Sequence, residues 1–154
     1  MQVNVSTHAI ESYAHAITLE AYRISKNLGF GYIGCVDSPT CLSDMTHAVD
    51  TSRRFSLAYP VDSAYCVESI LGSIGRPDAN EALRFVHDIQ HVAMQRGTSF
   101  GDEIWLGDYL ADELTMKYGR IVGDLARLDM VGSAAYQKRH GAYPTGSDLL
   151  ASAA

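Results

Sequence analysis

The stretch DANEALRFVHDIQHVAMQRG, residues 78–97, decides the fold class of this chain. Asp78 and Glu81 stand three residues apart, which is a spacing typical of a helix N-terminus. Apolar side chains then recur at steps of three and four as far as Ala93, and Gly97 ends the pattern. This periodicity predicts an amphipathic helix over residues 79–95.

The flanking sequence continues this pattern in both directions. Apolar stripes with helical spacing alternate with short breaks, and they predict further helices over residues 7–28, 43–57, 62–74, 101–118 and 120–138. Tyr32-Ile33 and Cys35-Val36 are β-like traces within a loop predicted for residues 30–42. We therefore predict an all-α fold, with a single-domain helical bundle of about five to six helices over residues 1–140 and a flexible C-terminal tail over residues 141–154.

The composition argues against several classes of protein. The 154 residues include 12 basic and 18 acidic side chains, a formal net charge of −6, which argues against a nucleic-acid-binding protein. No apolar run approaches the roughly 18 residues that span a bilayer, and the first residues lack the pattern of a signal peptide. We therefore expect a cytoplasmic protein without a transmembrane segment. Charged residues make up only 19% of the chain, which favours a homo-oligomer.

Four residues are the candidates for metal chemistry: His87, Asp88, His91 and Glu103. His87 and His91 lie one helical turn apart and can converge on one ion, with Asp88 beside them. Glu103 follows a turn that can fold it back along the same helix. Two histidines with carboxylates suit a divalent metal, zinc first and iron or manganese as alternatives, and Asp88 and Glu103 would be the catalytic residues that manage a proton. The structural alternative is a surface histidine pair with Asp88 in an ordinary ion pair.

The run RFVHDIQHV, residues 84–92, followed by Glu103, resembles the H-D-x-x-H-(x11)-E motif of the coenzyme Q biosynthesis protein 4 family. Upstream, Arg76-Pro77-Asp78 is similar to the family's helix start, and the resemblance covers residues 76–110. It implies an all-helical fold and a role in ubiquinone biosynthesis, in which prenylated intermediates are bound and C1 of the ring is acted on. It also implies a divalent metal held by His87, Asp88, His91 and Glu103.

The ligand that this resemblance implies is a small apolar or quinone-like molecule. Aromatic side chains could form the walls of its binding site, and the candidates are Tyr65, Phe85, Phe100, Trp105 and Tyr109. Each of these side chains also suits ordinary packing in a protein core.

Two other functions stay open at this point. The pair His87-Asp88 is also similar to the metal-binding pair of HD-type phosphohydrolases, in which His47 would be the upstream ligand. The last ligand would come from one of three later aspartates, Asp108, Asp112 or Asp124. The second alternative is a non-enzymatic helical binding or assembly module, in which the metal is structural or absent. A structural zinc site is closed by four protein ligands, whereas a catalytic site keeps one position open.

Overall fold

A computed structural model of the protein describes residues 5–35, 39–51, 54–58, 69–73 and 76–153, with the backbone alone at residues 34–35 and 54–58. The described residues form seven helices and two short strands, and the prediction of an all-α fold is confirmed. In chain order the elements are α1 (Thr7–Leu28), β1 (Gly31–Cys35), α2 (Leu42–Thr51), β2 (Arg54–Ala58), α3 (Ile70–Ser73), α4 (Pro77–Met94), α5 (Phe100–Tyr118), α6 (Arg120–His140) and α7 (Gly146–Ser152).

Local end signals explain why two long helices have the predicted limits. The side chain of Ser6 accepts a hydrogen bond from the amide of Ala9 at the start of α1. Gly29 ends that helix in the left-handed conformation, with a φ of 76°. Ser99 caps α5 in the same way, through the amide of Asp102. Each of these signals lies within a few residues of the helix end, so it can be read from the sequence.

The start of α4 differs from the prediction. The helix begins at Pro77, because the fixed φ of proline suits the first helical position and its missing N–H costs nothing there. Asp78 does not cap the helix. Its carboxylate lies 3.0 Å from the guanidinium of Arg76, which lowers the pKa of Asp78.

The core lies between α1, α4, α5 and α6. Its largest fully buried apolar side chains include Tyr13, Ile17, Phe85, Leu106, Leu110 and Leu114. α5 and α6 form an antiparallel hairpin, and they approach closely because Gly107 lacks a side chain: a Cβ there would come within 2.9 Å of Val131. Burial of this apolar surface supplies the main driving force for folding.

A buried carboxylate ties α1 to the end of α5. Glu20 is 4% exposed. One of its oxygens accepts hydrogen bonds from Arg23 at 2.7 Å and from Lys117 at 3.0 Å, and the other accepts one from the hydroxyl of Tyr118 at 2.9 Å. Each of these three partners is a donor that keeps its proton at neutral pH.

A second buried carboxylate joins α6 to α1 and α3. Asp129 is 3% exposed and accepts hydrogen bonds from the hydroxyl of Tyr13 at 3.2 Å and from the amide of Ile70 at 3.1 Å. Burial raises the pKa of Asp129 to about 7, although these two donors and the charge of Arg84 oppose the rise. The three opposing contributions together do not offset the cost of burying this charge.

The predictions of a helix over residues 43–57 and of a loop over residues 30–42 are each wrong in part. α2 ends at Thr51, and residues 54–58 form β2, which pairs in parallel with β1. Gly31 lies opposite Arg54, and Cys35 lies opposite Ala58. Pairing between two short segments depends on how the chain folds around them, which helical periodicity does not encode. Residues 62–68 and 74 of the predicted helix 62–74 lie outside the described residues.

The segment predicted as a flexible tail contains α7. Thr145 and Asp148 form a capping box, in which each side chain accepts a hydrogen bond from the backbone amide of the other. Leu149 is 1% exposed, and α7 packs against α3 and α6. Residues 146–152 therefore differ from the predicted tail, because a capped turn buries an apolar side chain on the bundle.

Candidate metal centre

Two consecutive helices position the three side chains of the candidate site. His87 and His91 stand one turn apart on the same face of α4. A short turn leads to α5, and Glu103 lies in the first turn of that helix, directly after the Ser99 cap. As predicted from the sequence, α5 folds back along α4, so that Glu103 reaches both histidines.

The ligand atoms of these three residues lie close together. His87 Nε2 lies 2.9 Å from Glu103 Oε2 and 3.1 Å from His91 Nε2, and His91 Nε2 lies 3.3 Å from Glu103 Oε1. Within the described part of the chain, this is the one group of three or more His, Cys, Asp or Glu side chains whose ligand atoms all lie within 4.8 Å of one another. The cluster could therefore hold a metal ion.

The spacing of the cluster fits an ion of the size of zinc. Bonds from zinc to nitrogen and oxygen are about 2.0–2.1 Å long, so that ligand atoms at the corners of a tetrahedron lie about 3.3 Å apart. The separations in the cluster, 2.9 Å, 3.1 Å and 3.3 Å, are close to this value. Two imidazoles and one carboxylate also form a donor set that zinc and non-haem iron sites use.

Burial and hydrogen bonding orient His91. Its side chain is 1% exposed, against 12% for His87 and 29% for Glu103. Nδ1 of His91 lies 3.0 Å from the carbonyl oxygen of Arg96. A carbonyl can only accept, so Nδ1 carries a proton, and in the neutral ring Nε2 then has a lone pair that faces the cluster. The neutral form of His91 is therefore held in the tautomer that a metal ligand requires, whereas the protonated ring donates from Nε2 to Glu103.

The charges within the cluster favour a cation beside Glu103. Burial alone would raise the pKa of Glu103, but hydrogen bonds from His87 and His91 outweigh it and lower the pKa to about 2. Burial lowers the pKa of His91, yet the carboxylate of Glu103 and the carbonyl of Arg96 raise it above its usual value on balance. The carboxylate is thus ionised at neutral pH, and it stabilises a positive charge next to it.

Asp88, the fourth predicted ligand, lies beside the cluster. Its carboxylate is not in the group of atoms that lie within 4.8 Å of one another, although it lines the same cavity. Burial raises the pKa of Asp88 to about 6, and the positive charges of His87, His91 and Arg84 oppose the rise. The carboxylate of Asp88 therefore titrates close to neutral pH.

The cluster adjoins a cavity of about 490 Å³. One face of α4 lines it with polar side chains, namely Asn80, Arg84, His87, Asp88 and His91. α6 adds further polar groups, Asp129, Ser133 and Gln137. Apolar side chains complete the lining, among them Met45, Leu83, Met130, Ala134 and Tyr143. A cavity of this size and mixed character can accommodate a small molecule.

The aromatic residues predicted as walls lie elsewhere. Phe85 is fully buried and stacks on Tyr32, with ring centroids 4.3 Å apart. Phe100 and Trp105 are 39% and 40% exposed, and Trp105 stacks on Tyr109. None of the four predicted residues in the described part of the chain lines the cavity. Trp105 follows Glu103 by two residues, which turns it by about 200° around the helix. Tyr65 lies outside the described residues.

Most residues that line the cavity were not predicted as site residues, and Asn80, Arg84 and Asp129 are examples. A signal for the first two existed, because positions 80, 84, 87, 88 and 91 share one face of α4 at helical spacing. Asp129 carried no comparable signal, since it reaches the cavity only through the packing of α6 against the rest of the bundle.

The residues of the phosphohydrolase alternative are not brought to the cluster. His47 on α2 is exposed. Asp108 and Asp112 both accept hydrogen bonds from Arg127, at 2.8 Å and 2.7 Å. Asp124 lies within 3.4 Å of Arg120 on the surface of α6. None of these side chains belongs to the group formed by His87, His91 and Glu103.

Fold and site together define an all-α protein with a two-histidine, one-glutamate cluster that is compatible with metal binding. No protein-family model matches the chain, and comparison with curated proteins and with solved structures gives no match either. Among the helices of the described residues, none is both long and apolar enough to cross a membrane.

Proposed function

We propose that this protein binds one divalent metal ion, zinc in the first place, through His87, His91 and Glu103. The observation that carries the proposal is the convergence of two imidazole nitrogens and a carboxylate at separations of 2.9 Å, 3.1 Å and 3.3 Å. In its neutral form His91 supplies a lone pair from Nε2, and the ionised Glu103 supplies negative charge. A surface histidine pair would need neither a buried ring nor a fixed tautomer.

We propose further that the site is catalytic. A structural zinc site is closed by four protein ligands, whereas this cluster has three and adjoins a cavity of about 490 Å³. A divalent ion bound there would supply Lewis acidity to a polar group of a molecule in the cavity. Asp88 lines the cavity beside the cluster, so its carboxylate is placed to exchange a proton with that molecule. Arg84 and Asn80, on the same face of α4, are placed to orient it.

The proposed substrate is a small ring-bearing molecule of the quinone-precursor type. The resemblance of residues 84–103 to the coenzyme Q biosynthesis protein 4 family supports this class of substrate. The lining supports it independently, because apolar side chains such as Leu83 and Met130 alternate with polar ones such as Ser133 and Gln137. A ring that carries oxygen substituents would match both kinds of surface.

Elemental analysis of the purified chain tests the metal proposal. The double variant His87→Ala/His91→Ala removes two ligands, and the matched control His8→Ala/His15→Ala removes two exposed histidines from α1. We expect about one equivalent of zinc, iron or manganese in the parent and in the control, and none in the first variant. A chelator should lower the melting temperature of the parent and of the control only.

Two results would overturn the metal proposal. One is a parent chain that holds no metal after incubation with Zn²⁺, Fe²⁺ or Mn²⁺. The other is a His87→Ala/His91→Ala variant that retains as much metal as the parent, because binding would then take place elsewhere in the chain.

A further inference from the structure

We infer that Arg96, in the turn between α4 and α5, is a positioning residue of the metal site. Its carbonyl oxygen contacts His91 on α4, and its guanidinium contacts the first turns of α5, where Glu103 lies. Arg96 is neither a member of the cluster nor part of the cavity lining. The inference rests on the proposed metal function, and it adds a residue that sets the relative placement of ligands from two helices.

The backbone of the turn directs the Arg96 carbonyl onto His91. Gln95 has a φ of 50°, and it is the one non-glycine residue with a positive φ in the described part of the chain. This conformation ends α4, and the amide of Arg96 then donates to the carbonyl of His91 at 3.0 Å. The Arg96 carbonyl in turn accepts the Nδ1 proton of His91 at 3.0 Å. Two hydrogen bonds thus connect Arg96 with the most buried residue of the cluster.

The side chain of Arg96 contacts the start of α5 at two points. Its Nη1 lies 3.3 Å from Asp102 Oδ1, and its guanidinium carbon lies 4.2 Å from the centre of the Trp105 ring. Asp102 also accepts a hydrogen bond at 2.7 Å from the hydroxyl of Ser99, which caps α5. The ion pair and the cation–π contact therefore flank Glu103 along the chain.

This arrangement makes the geometry of the cluster depend on the Arg96 side chain. Glu103 comes from α5 and both histidines come from α4, so a turn that is free to move would change the distance between the ligands. Ordering loose ligands costs free energy when the metal binds. A lysine at this position would keep a charge for Asp102 but would lose the planar group that stacks on Trp105.

Zinc affinity, measured by competition with a chromophoric chelator, tests the inference on the 154-residue chain and its variants. The variants are Arg96→Ala, Arg96→Lys and, as the charge control, Arg120→Ala, which removes a guanidinium that is 88% exposed on α6. We expect zinc to bind about 10-fold more weakly to Arg96→Ala, and less than 10-fold more weakly to Arg96→Lys. The control should bind zinc like the parent.

Two spectroscopic signals distinguish positioning from a general loss of stability. Co²⁺ in place of zinc reports the number and geometry of the ligands, and we expect its visible absorption at saturation to change in Arg96→Ala. Trp105 is the single tryptophan of the chain and touches Arg96. We therefore expect its fluorescence to respond to zinc in the parent and to respond less in Arg96→Ala.

The outcomes separate this inference from the metal proposal. A parent that binds none of Zn²⁺, Fe²⁺, Mn²⁺ and Co²⁺ refutes the metal proposal, and this is known before any variant is compared. A parent that binds metal while Arg96→Ala shows the same zinc affinity and the same Co²⁺ absorption overturns the inference alone. A lower melting temperature of Arg96→Ala without either change also overturns it, because Arg96 would then only stabilise the fold.

Discussion

Glu20 and Glu103 are two carboxylates that join α5 to another helix, and both have a lowered pKa. Their partners differ. Glu20 accepts hydrogen bonds from an arginine, a lysine and a tyrosine, which keep their protons at neutral pH. Glu103 faces His87 and His91, whose ring nitrogens can either donate a proton or offer a lone pair.

The same kind of residue therefore has a structural role at Glu20, whereas at Glu103 it belongs to a cluster that is compatible with metal binding. Around Glu20, two cations neutralise the carboxylate and would repel a metal ion. Around Glu103, an imidazole that loses its proton can act as a ligand and no longer neutralises the carboxylate. The negative charge of Glu103 is then available to a metal ion. The chemistry of the partners, rather than the carboxylate itself, distinguishes the candidate site from the hydrogen-bonded Glu20 between α1 and α5.

The largest effect is expected from Glu103→Gln, which keeps the size of the side chain and removes its charge. We expect zinc affinity to fall by about 100-fold, which corresponds to about 2.7 kcal/mol, because a charged ligand is replaced by a neutral amide. Chelator competition measures the change. Glu20→Gln is the control and should bind zinc like the parent. If both variants bound zinc equally, the distinction between the two carboxylates would be wrong.

The converse prediction concerns stability. Glu20→Gln should lower the free energy of unfolding by about 2 kcal/mol in urea titrations, because Arg23 and Lys117 lose the charge that they face. Glu113→Gln is a suitable control, since Glu113 lies 3.9 Å from Lys117 near the surface and its loss should cost less than about 1 kcal/mol. Equal destabilisation by the two variants would show that the buried Glu20 contributes no more to the stability of the fold than a surface carboxylate.

Asp129 is a third carboxylate that can be compared with Glu20 and Glu103, and it differs from both because its hydrogen-bond donors carry no charge. Its pKa is raised to about 7 in the folded protein, against about 3.9 in an unfolded chain. The folded state therefore holds the proton more tightly, and this contribution to stability is full below pH 4 and is lost as the pH rises to 7. Glu20 has the opposite sign: its pKa is lowered, so its contribution is lost as the pH falls through the acid range.

The variant Asp129→Asn, which cannot ionise, tests the direction in which the contribution of Asp129 to stability changes with pH. Between pH 5 and pH 7 its stability relative to the parent should rise by about 2 kcal/mol, while it retains a group that accepts a hydrogen bond. Urea titrations at several pH values measure the gain. A difference between variant and parent that did not change with pH would contradict the raised pKa of Asp129.

The sequence predicted most of the helical fold because the signals for it are local. Apolar stripes and the short breaks between them placed the ends of α1 and α5 to within about one residue. The pairing of β1 with β2 could not be predicted in this way, since each strand is short and depends on the other. α7 was missed because the burial of Leu149 depends on the packing of α7 against α3 and α6, which are distant in sequence or lie in other helices.

The features of the candidate site fall into the same two groups, those that the local sequence predicts and those that depend on tertiary packing. By itself the sequence determined that His87 and His91 share one face of a helix and that a short turn returns Glu103 to them, since both depend on helical spacing and on a few consecutive residues. Only the tertiary structure decided that Asp88 lies outside the cluster, that the Arg96 carbonyl orients His91, and that α6 lines the cavity in place of the predicted aromatic side chains. These features depend on how helices distant in sequence pack, and packing is set by the whole core rather than by any one segment.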